Sequence, residues 1–217
     1  MGTMIEDGSK FLMIGDSITD CGRRDGQHKP YGGGYVSMFR DLVIINEPEK
    51  NIEIVNKGIG GNTVEDLRSR WDDDLLSHKP DWVSIKIGIN DLHRYLGQGH
   101  ELQSPENFEK IYDEIIAATK NEFPDCKFIL ISPFYMSRRN SVKDAFRTKV
   151  WEILPIYIKI IEKLSDKYGT LFLNTHDLFQ KQLKYNHPDL YCGEPVHPNS
   201  TGHMLIAQGL YEIIKKE

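Results

Sequence analysis

The chain of 217 residues is poor in the features that would mark it as secreted, membrane-bound or nucleic-acid-binding. Its three cysteines, Cys21, Cys126 and Cys192, are odd in number and far apart. That excludes a disulfide framework and a Cys-x-x-Cys metal or redox site. No apolar run approaches the roughly 18 residues of a membrane span. The start, "MGTMIEDGSK", has neither a basic segment nor an apolar core, so it does not read as a signal peptide. Positive charge is not in excess: 27 Lys and Arg against 32 Asp and Glu give a net −5, where a nucleic-acid partner wants a concentrated basic face. Linkers, repeats and low-complexity stretches are missing too, which predicts one domain over 1–217. Residues 1–9 are expected to be a flexible or tag-derived start, and the protein to be cytoplasmic.

What is present is alternation. Short, nearly continuous apolar runs at 10–15, 51–56, 81–87, 127–132 and 170–174 predict strands covered on both faces. Helical patterns lie between them. In 62–76, Val64, Leu67, Trp71 and Leu75 share one face, and Asn62 with Glu65 forms a capping-box pattern. Ser104 and Pro105 open the next helix, continued by Phe108, Ile111 and Ile115. The stretch 143–168 contains Pro155, which predicts a kink or break. Within it "WEILPIYIKII" is apolar nearly all round, the pattern of deep burial or of a homo-oligomer contact. The last helix, about 199–216, carries Ile206, Leu210 and Ile213 in a stripe. The fold class predicted is α/β: a five-stranded, mostly parallel sheet in flavodoxin-like order, layered between helices. Ligands of such sheets bind at the carboxyl ends of the strands.

The loops at those ends carry reactive groups. "GDSIT" offers Ser17, "NKGIGGNT" offers the amide of Gly60, "GINDL" offers Asn90, and "CGEPVHPNSTGH" offers Glu194 and His197. A serine hydroxyl becomes a nucleophile when an imidazole takes its proton. A carboxylate or carbonyl on the other ring nitrogen orients that imidazole. The oxyanion then needs donors about 3 Å away. Each group has an ordinary reading as well: Ser17 as a helix cap, Asn90 as a turn residue, and Asp91 as a cap. Asp16 and Asp20 could suggest a metal, but two carboxylates without a second acidic pair make a poor site. Asp16 and Thr19 are expected to brace the serine loop instead. Gly58-x-Gly60 begins a dinucleotide fingerprint, but Thr63 stands where the third glycine belongs. Residue 19 is not Gly, which excludes the G-x-S-x-G elbow.

Taken together, Ser17 in "GDS", Gly60 in "NKGIGG", Asn90 in "GIND" and His197 in "VHPN" resemble the four blocks of the SGNH (GDSL-type) hydrolases, in their chain order. The resemblance runs from about residue 10 to 216. "GDSITDCGR", "VNKGIGGNTVEDLRSRW", "KPDWVSIKIGIND" and "HPNSTGHM" are similar to the branch containing bacterial acetylxylan esterases. This implies a three-layer α/β/α serine esterase with Ser17 as nucleophile, His197 as base, and the Ser17 amide, Gly60 amide and Asn90 side chain holding the oxyanion. It implies no metal or cofactor, and a small ester or acetylated carbohydrate as substrate. One departure stands out, because Glu194 occupies the place where the family has Asp. Either Glu194 orients His197 or a backbone carbonyl does. His93, Tyr95 and Tyr191, with Tyr135, Arg138 and Arg139, are aromatic and hydrogen-bonding groups suited to a sugar; for His93 a surface position and for Tyr191 loop packing are equally open. The rival readings are a thioesterase or lysophospholipase on the same machinery, and a catalytically silent binding module.

Overall fold

The computed structural model describes residues 2–137 and 144–215. Among these residues five strands form one parallel sheet in the order β2-β1-β3-β4-β5. The strands are β1 (Lys10–Gly15), β2 (Glu53–Gly58), β3 (Trp82–Lys86), β4 (Lys127–Ile131) and β5 (Leu171–Leu173). Every neighbour pair is parallel, with Gly15 opposite both Gly58 and Lys86. That register brings the ends of the three strands next to one another. The helices are α1 (Ser17–Asp20), α2 (Tyr35–Asn46), α3 (Val64–Ser69), α4 (Trp71–Asp74), α5 (Ile89–Gln98), α6 (Pro105–Glu122), α7 (Ala145–Tyr168), α8 (Thr175–Gln182) and α9 (Ser200–Ile213). α2 packs on α9, while α3 packs on α6 and α5 and α6 pack on α7. The fold is thus the three-layer α/β/α arrangement expected of the sequence.

The central strands are buried on both faces, as their unbroken apolar runs require: β3 is buried along its whole length and β1 from Phe11 onward. β2 lies at an edge and alternates buried with half-exposed residues. It therefore reaches two residues further than its apolar density suggests, through Lys57 to Gly58.

Four local expectations are corrected. The start is anchored: Thr3 and Ile5 are buried, and Thr3 donates its amide and hydroxyl to Glu47. Lys50 holds the carbonyls of Thr3 and Ile5 and pairs with Glu47, itself 1% exposed. The capping box of α3 is Thr63 with Asp66, one residue later than Asn62 with Glu65. Asn62 is otherwise engaged, since its side-chain oxygen accepts from Arg70 Nε at 2.9 Å. Pro155 does not end α7, which runs through it. The ring lies on the exposed side, where water can bond the carbonyl it leaves unpaired. The apolar run is split, with Leu154, Tyr157 and Ile161 in the core and Ile156 exposed. Arg138 and Arg139 lie outside the described residues.

The anchoring of the start can be measured. Glu47→Ala strands the Lys50 charge and the Thr3 amide, so chemical denaturation should show a loss of roughly 1–3 kcal/mol. An unchanged unfolding free energy would mean that the N-terminal segment contributes nothing.

Candidate active site

Gly15, the last residue of β1, is glycine for a steric reason: a Cβ there would lie 2.2 Å from the Lys86 carbonyl oxygen on the neighbouring strand. Asp16 then caps α1, accepting the Ile18 amide on Oδ1 at 2.9 Å. Ser17, at the first helical position, keeps its own amide free, because the first amides of a helix have no partner within it. Thr19 fixes the turn from below through Tyr35, their hydroxyls 2.9 Å apart.

The histidine arrives from the other end of the chain. The segment before α9 folds back on itself through a Cys192–Pro198 bridge and an Asn199 amide to Tyr191 carbonyl bond of 2.8 Å. Met136, in the segment that follows β4, donates its amide to the Pro195 carbonyl at 2.7 Å and ties this loop to that segment. His197 Nε2 then lies 2.8 Å from Ser17 Oγ, and Nδ1 lies 2.6 Å from Glu194 Oε1. Glu194 also accepts the Val196 and His197 amides, so its extra methylene is absorbed by wrapping the carboxylate over its own turn. Of the two candidates for orienting His197, the carboxylate is the one in contact. The arrangement is an acceptor–imidazole–hydroxyl relay that can move a proton off Ser17 Oγ.

The second loop brings a correction. The Gly60 amide donates to Asp20 Oδ2 at 3.1 Å and is not left free for an oxyanion. The next amide, that of Gly61, has no acceptor among the described residues, and Gly61 sits at φ +81°, where glycine is favoured. The amide that the sequence offers for an oxyanion is thus engaged elsewhere, because adjacent amides point different ways and only backbone geometry says which one is taken. Gly60 lies close to the serine, since a Cβ on it would stand 3.8 Å from Ser17 Cβ, an ordinary contact distance. Asn90 donates one Nδ2 hydrogen to the Asn62 carbonyl at 2.9 Å, leaving the other available. Arg94 Nη2 holds the Gly61 carbonyl at 2.8 Å.

The aromatic candidates divide. His93 stands against Tyr135 and Phe146, ring centroids 6.2 and 5.5 Å away, within electrostatic reach of Glu194 and His197. Burial lowers its pKa. Tyr95 lies two residues on, about 200° round the helix, and couples electrostatically to Tyr157 of α7. It does not share His93's face. Tyr191 is a further correction. It is buried, its hydroxyl bonded to Asn186 and Gln182 and its ring against Phe179, so it packs the loop and does not rim a pocket.

Next to Ser17 in sequence, and opposite Gly15 in the sheet, lie two buried ionisable groups that apolar patterning does not announce. Asp16 and Lys86 are both fully buried, and burial raises the pKa of the one and lowers that of the other, each countered by the other's charge. Asp16 Oδ2 and Lys86 Nζ have no hydrogen-bond partner, and Nζ lies 4.8 Å over the Phe134 ring. Asp91 caps α3 rather than its own helix, accepting the Val64 amide at 3.0 Å. His176 and His203 are buried, with pKa values lowered to about 4 by desolvation, and serve as neutral acceptors for the Tyr135 and Tyr35 amides. Among the described residues no group of three or more His, Cys, Asp or Glu could hold a metal.

The GDSL-like lipase/acylhydrolase family model matches residues 13–205. The chain belongs to this family. It is a carboxylic ester hydrolase with the SGNH fold. An acetylxylan esterase of Geobacillus stearothermophilus is 36% identical over 213 residues, covering 94% of this chain and 93% of that one. The crystal structure of an acetylxylan esterase from that organism superposes with a TM-score of 0.87 at 35% identity, covering 98% and 97% of the two chains. An α/β-hydrolase enzyme from the metagenome of Lake Arreo gives 0.85 at 32% identity, covering 98% of each. Catalytic mutants of the Geobacillus enzyme replace a serine, a histidine, and an aspartate that precedes the histidine by three positions. Glu194 precedes His197 by the same interval here. Among the described residues no helix is long and apolar enough to cross a membrane.

Asp91 generates a pH prediction. Burial raises its pKa from 3.8 to about 7. Between those values the unfolded chain has lost a proton that the folded chain keeps, so this group makes stability fall as pH rises, by up to about 1.4 kcal/mol per pH unit. In Asp91→Asn the slope of unfolding free energy against pH between about 4 and about 7 should lose about one proton's worth. An identical slope in the two proteins would contradict the assignment.

Proposed function

We propose that the chain is an O-acetylesterase of carbohydrates, acting through an acyl-serine intermediate. The observation that carries this reading is the run of contacts from Glu194 to His197 to Ser17, at 2.6 and 2.8 Å. Ser17 Oγ attacks the ester carbonyl while His197 Nε2 takes its proton. Glu194 keeps the Nδ1 hydrogen toward itself and steadies the imidazolium. The amides of Ser17 and Gly61 and the free Nδ2 hydrogen of Asn90 receive the oxyanion. As the tetrahedral adduct collapses, His197 returns the proton to the departing sugar hydroxyl. A water, deprotonated by His197, then attacks the acyl-serine; acetate leaves and Ser17 regains its proton.

The acetyl preference is supported by the 36% identity to an acetylxylan esterase and by the surroundings of the site. The rings of half-buried His93 and exposed Phe146 lie near the triad, with buried Tyr135 packed against His93.

Two sets of measurements test the reading. Ser17→Ala and His197→Ala should each lower kcat by roughly 10³-fold or more, since these groups act as a unit. Asn90→Ala should cost on the order of 10²-fold, the scale of one oxyanion donor. Glu194→Gln keeps an acceptor oxygen but removes the charge, and should lower kcat steeply with the fold intact. A Ser17→Ala protein with half its activity would end the assignment. Across acetyl, butyryl and octanoyl p-nitrophenyl esters kcat/KM should be highest for acetyl; a maximum at octanoyl would favour a lipase-like enzyme.

A further inference from the structure

Asp20 lies one turn after Ser17, is 9% exposed, and is not part of the relay. Its Oδ2 accepts the Gly60 amide at 3.1 Å and Arg24 Nη2 at 3.0 Å, and its Oδ1 lies 4.0 Å from Arg23 Nε. Arg23 Nε in turn donates to the Gly58 carbonyl at 2.6 Å. The serine turn therefore grips the neighbouring loop twice, once by a carbonyl and once by an amide two residues later. The rest of the loop is also engaged. Ile59 donates to the Gly15 carbonyl, Asn62 to Ile59, Arg94 to the Gly61 carbonyl, and Asn90 to the Asn62 carbonyl. With these bonds made, the Gly61 amide is the backbone donor of the loop left without an acceptor among the described residues.

We infer that Asp20 is a positioning residue for the oxyanion donors: it holds the Gly60 amide aside so that the Gly61 amide faces the ester carbonyl. This rests on the catalytic roles proposed above for Ser17 and Gly61. A bare carboxylate so close to a developing oxyanion would oppose it. Arg23 and Arg24 turn the local cluster into a net positive one, so Asp20 can latch the loop without that penalty. Both halves of the oxyanion site, the Ser17 amide and the Gly61 amide, then move as one body, because Asp20 and Ser17 share the same helical turn.

The test is steady-state hydrolysis of p-nitrophenyl acetate by folded Asp20→Ala and Asp20→Asn, with Ser17→Ala as reference. Asp20→Ala frees the Gly60 amide and unlatches the loop. Its kcat should fall about 10- to 100-fold, at or below the loss of a full donor, with KM within about twofold of wild type. Asp20→Asn retains an oxygen that can accept the Gly60 amide and should recover kcat to within about threefold. If Asp20→Ala does not fold, Asp20→Ser, whose hydroxyl is too short to reach the amide, takes its place with the same expectation. A kcat for the unlatched protein within twofold of wild type, or above it, overturns the inference. So does an Asp20→Asn protein no faster than Asp20→Ala, or a loss of thermal stability with kcat per folded molecule unchanged. The two levels separate cleanly. Activity in Ser17→Ala would sink the proposed mechanism, whereas an inactive Ser17→Ala beside a fully active Asp20→Ala sinks only the latch.

Discussion

The contact between Ser17 Oγ and His197 Nε2 joins residues 180 positions apart, and the arrangement of the fold around the site follows from the need to keep that contact short. A hydroxyl and an imidazole at 2.8 Å are useful only if neither can drift, since misplacement of the order of 1 Å is costly to catalysis. The serine is held by a strand end that cannot shift, where Gly15 sits against Lys86 with no room for a side chain. The histidine sits on a loop with fewer anchors of its own, and it borrows rigidity from three sources. These are the Met136–Pro195 bond to the segment after β4, the Cys192–Pro198 bridge, and the Asn199 cap on α9 that accepts the Thr201 and Gly202 amides. Gly202 belongs to this design as well, because a Cβ there would lie 2.3 Å from the Tyr191 carbonyl oxygen.

Below this surface the protein keeps ionisable groups where an ordinary core would have none. Asp16 is buried beside Ser17 in sequence, Lys86 on the strand neighbouring β1, and Asp91 beside Asn90 in sequence. Each carboxylate accepts a backbone amide: Asp16 that of Ile18 and Asp91 that of Val64. Burying them opposes stability, as carboxyl groups lose hydration that one or two hydrogen bonds only partly replace. What is obtained is directional: the amides that start α1 and α3 are fixed, and with them the loops that carry Ser17 and Asn62.

Much of this was legible in the chain. The strands were visible because a parallel sheet buries both faces and so writes itself as unbroken apolar runs. β2 was the least well placed, because an edge strand is half polar and its pairing extends into Lys57 and Gly58. The four loops bearing Ser17, the Gly60-Gly61 pair, Asn90 and His197 were found because acyl transfer needs those residue types at strand ends. Glu194 in place of the family's Asp left its role open, and only the wrapped carboxylate shows that the longer side chain still reaches Nδ1. Details that depend on which way a single peptide faces were not legible. Whether the Gly60 amide is free is decided by Asp20, far off in sequence, and whether the cap is Asn62 or Thr63 by Arg70 at the other end of α3. Tyr191 misled because proximity to Glu194 in sequence says nothing of direction, and its hydroxyl points into Gln182 and Asn186.

The central claim is that Ser17 is the nucleophile and that His197 activates it. The most direct measurement is covalent trapping with a p-nitrophenyl alkylphosphonate ester, a reagent that a serine hydrolase attacks as it attacks an ester, followed by peptide mass spectrometry. The account predicts one phosphonyl group per molecule, carried on the peptide containing Ser17, with activity lost in proportion and labelling abolished in His197→Ala. Complete inactivation with the label on another residue, or undiminished labelling of Ser17 in His197→Ala, would contradict it.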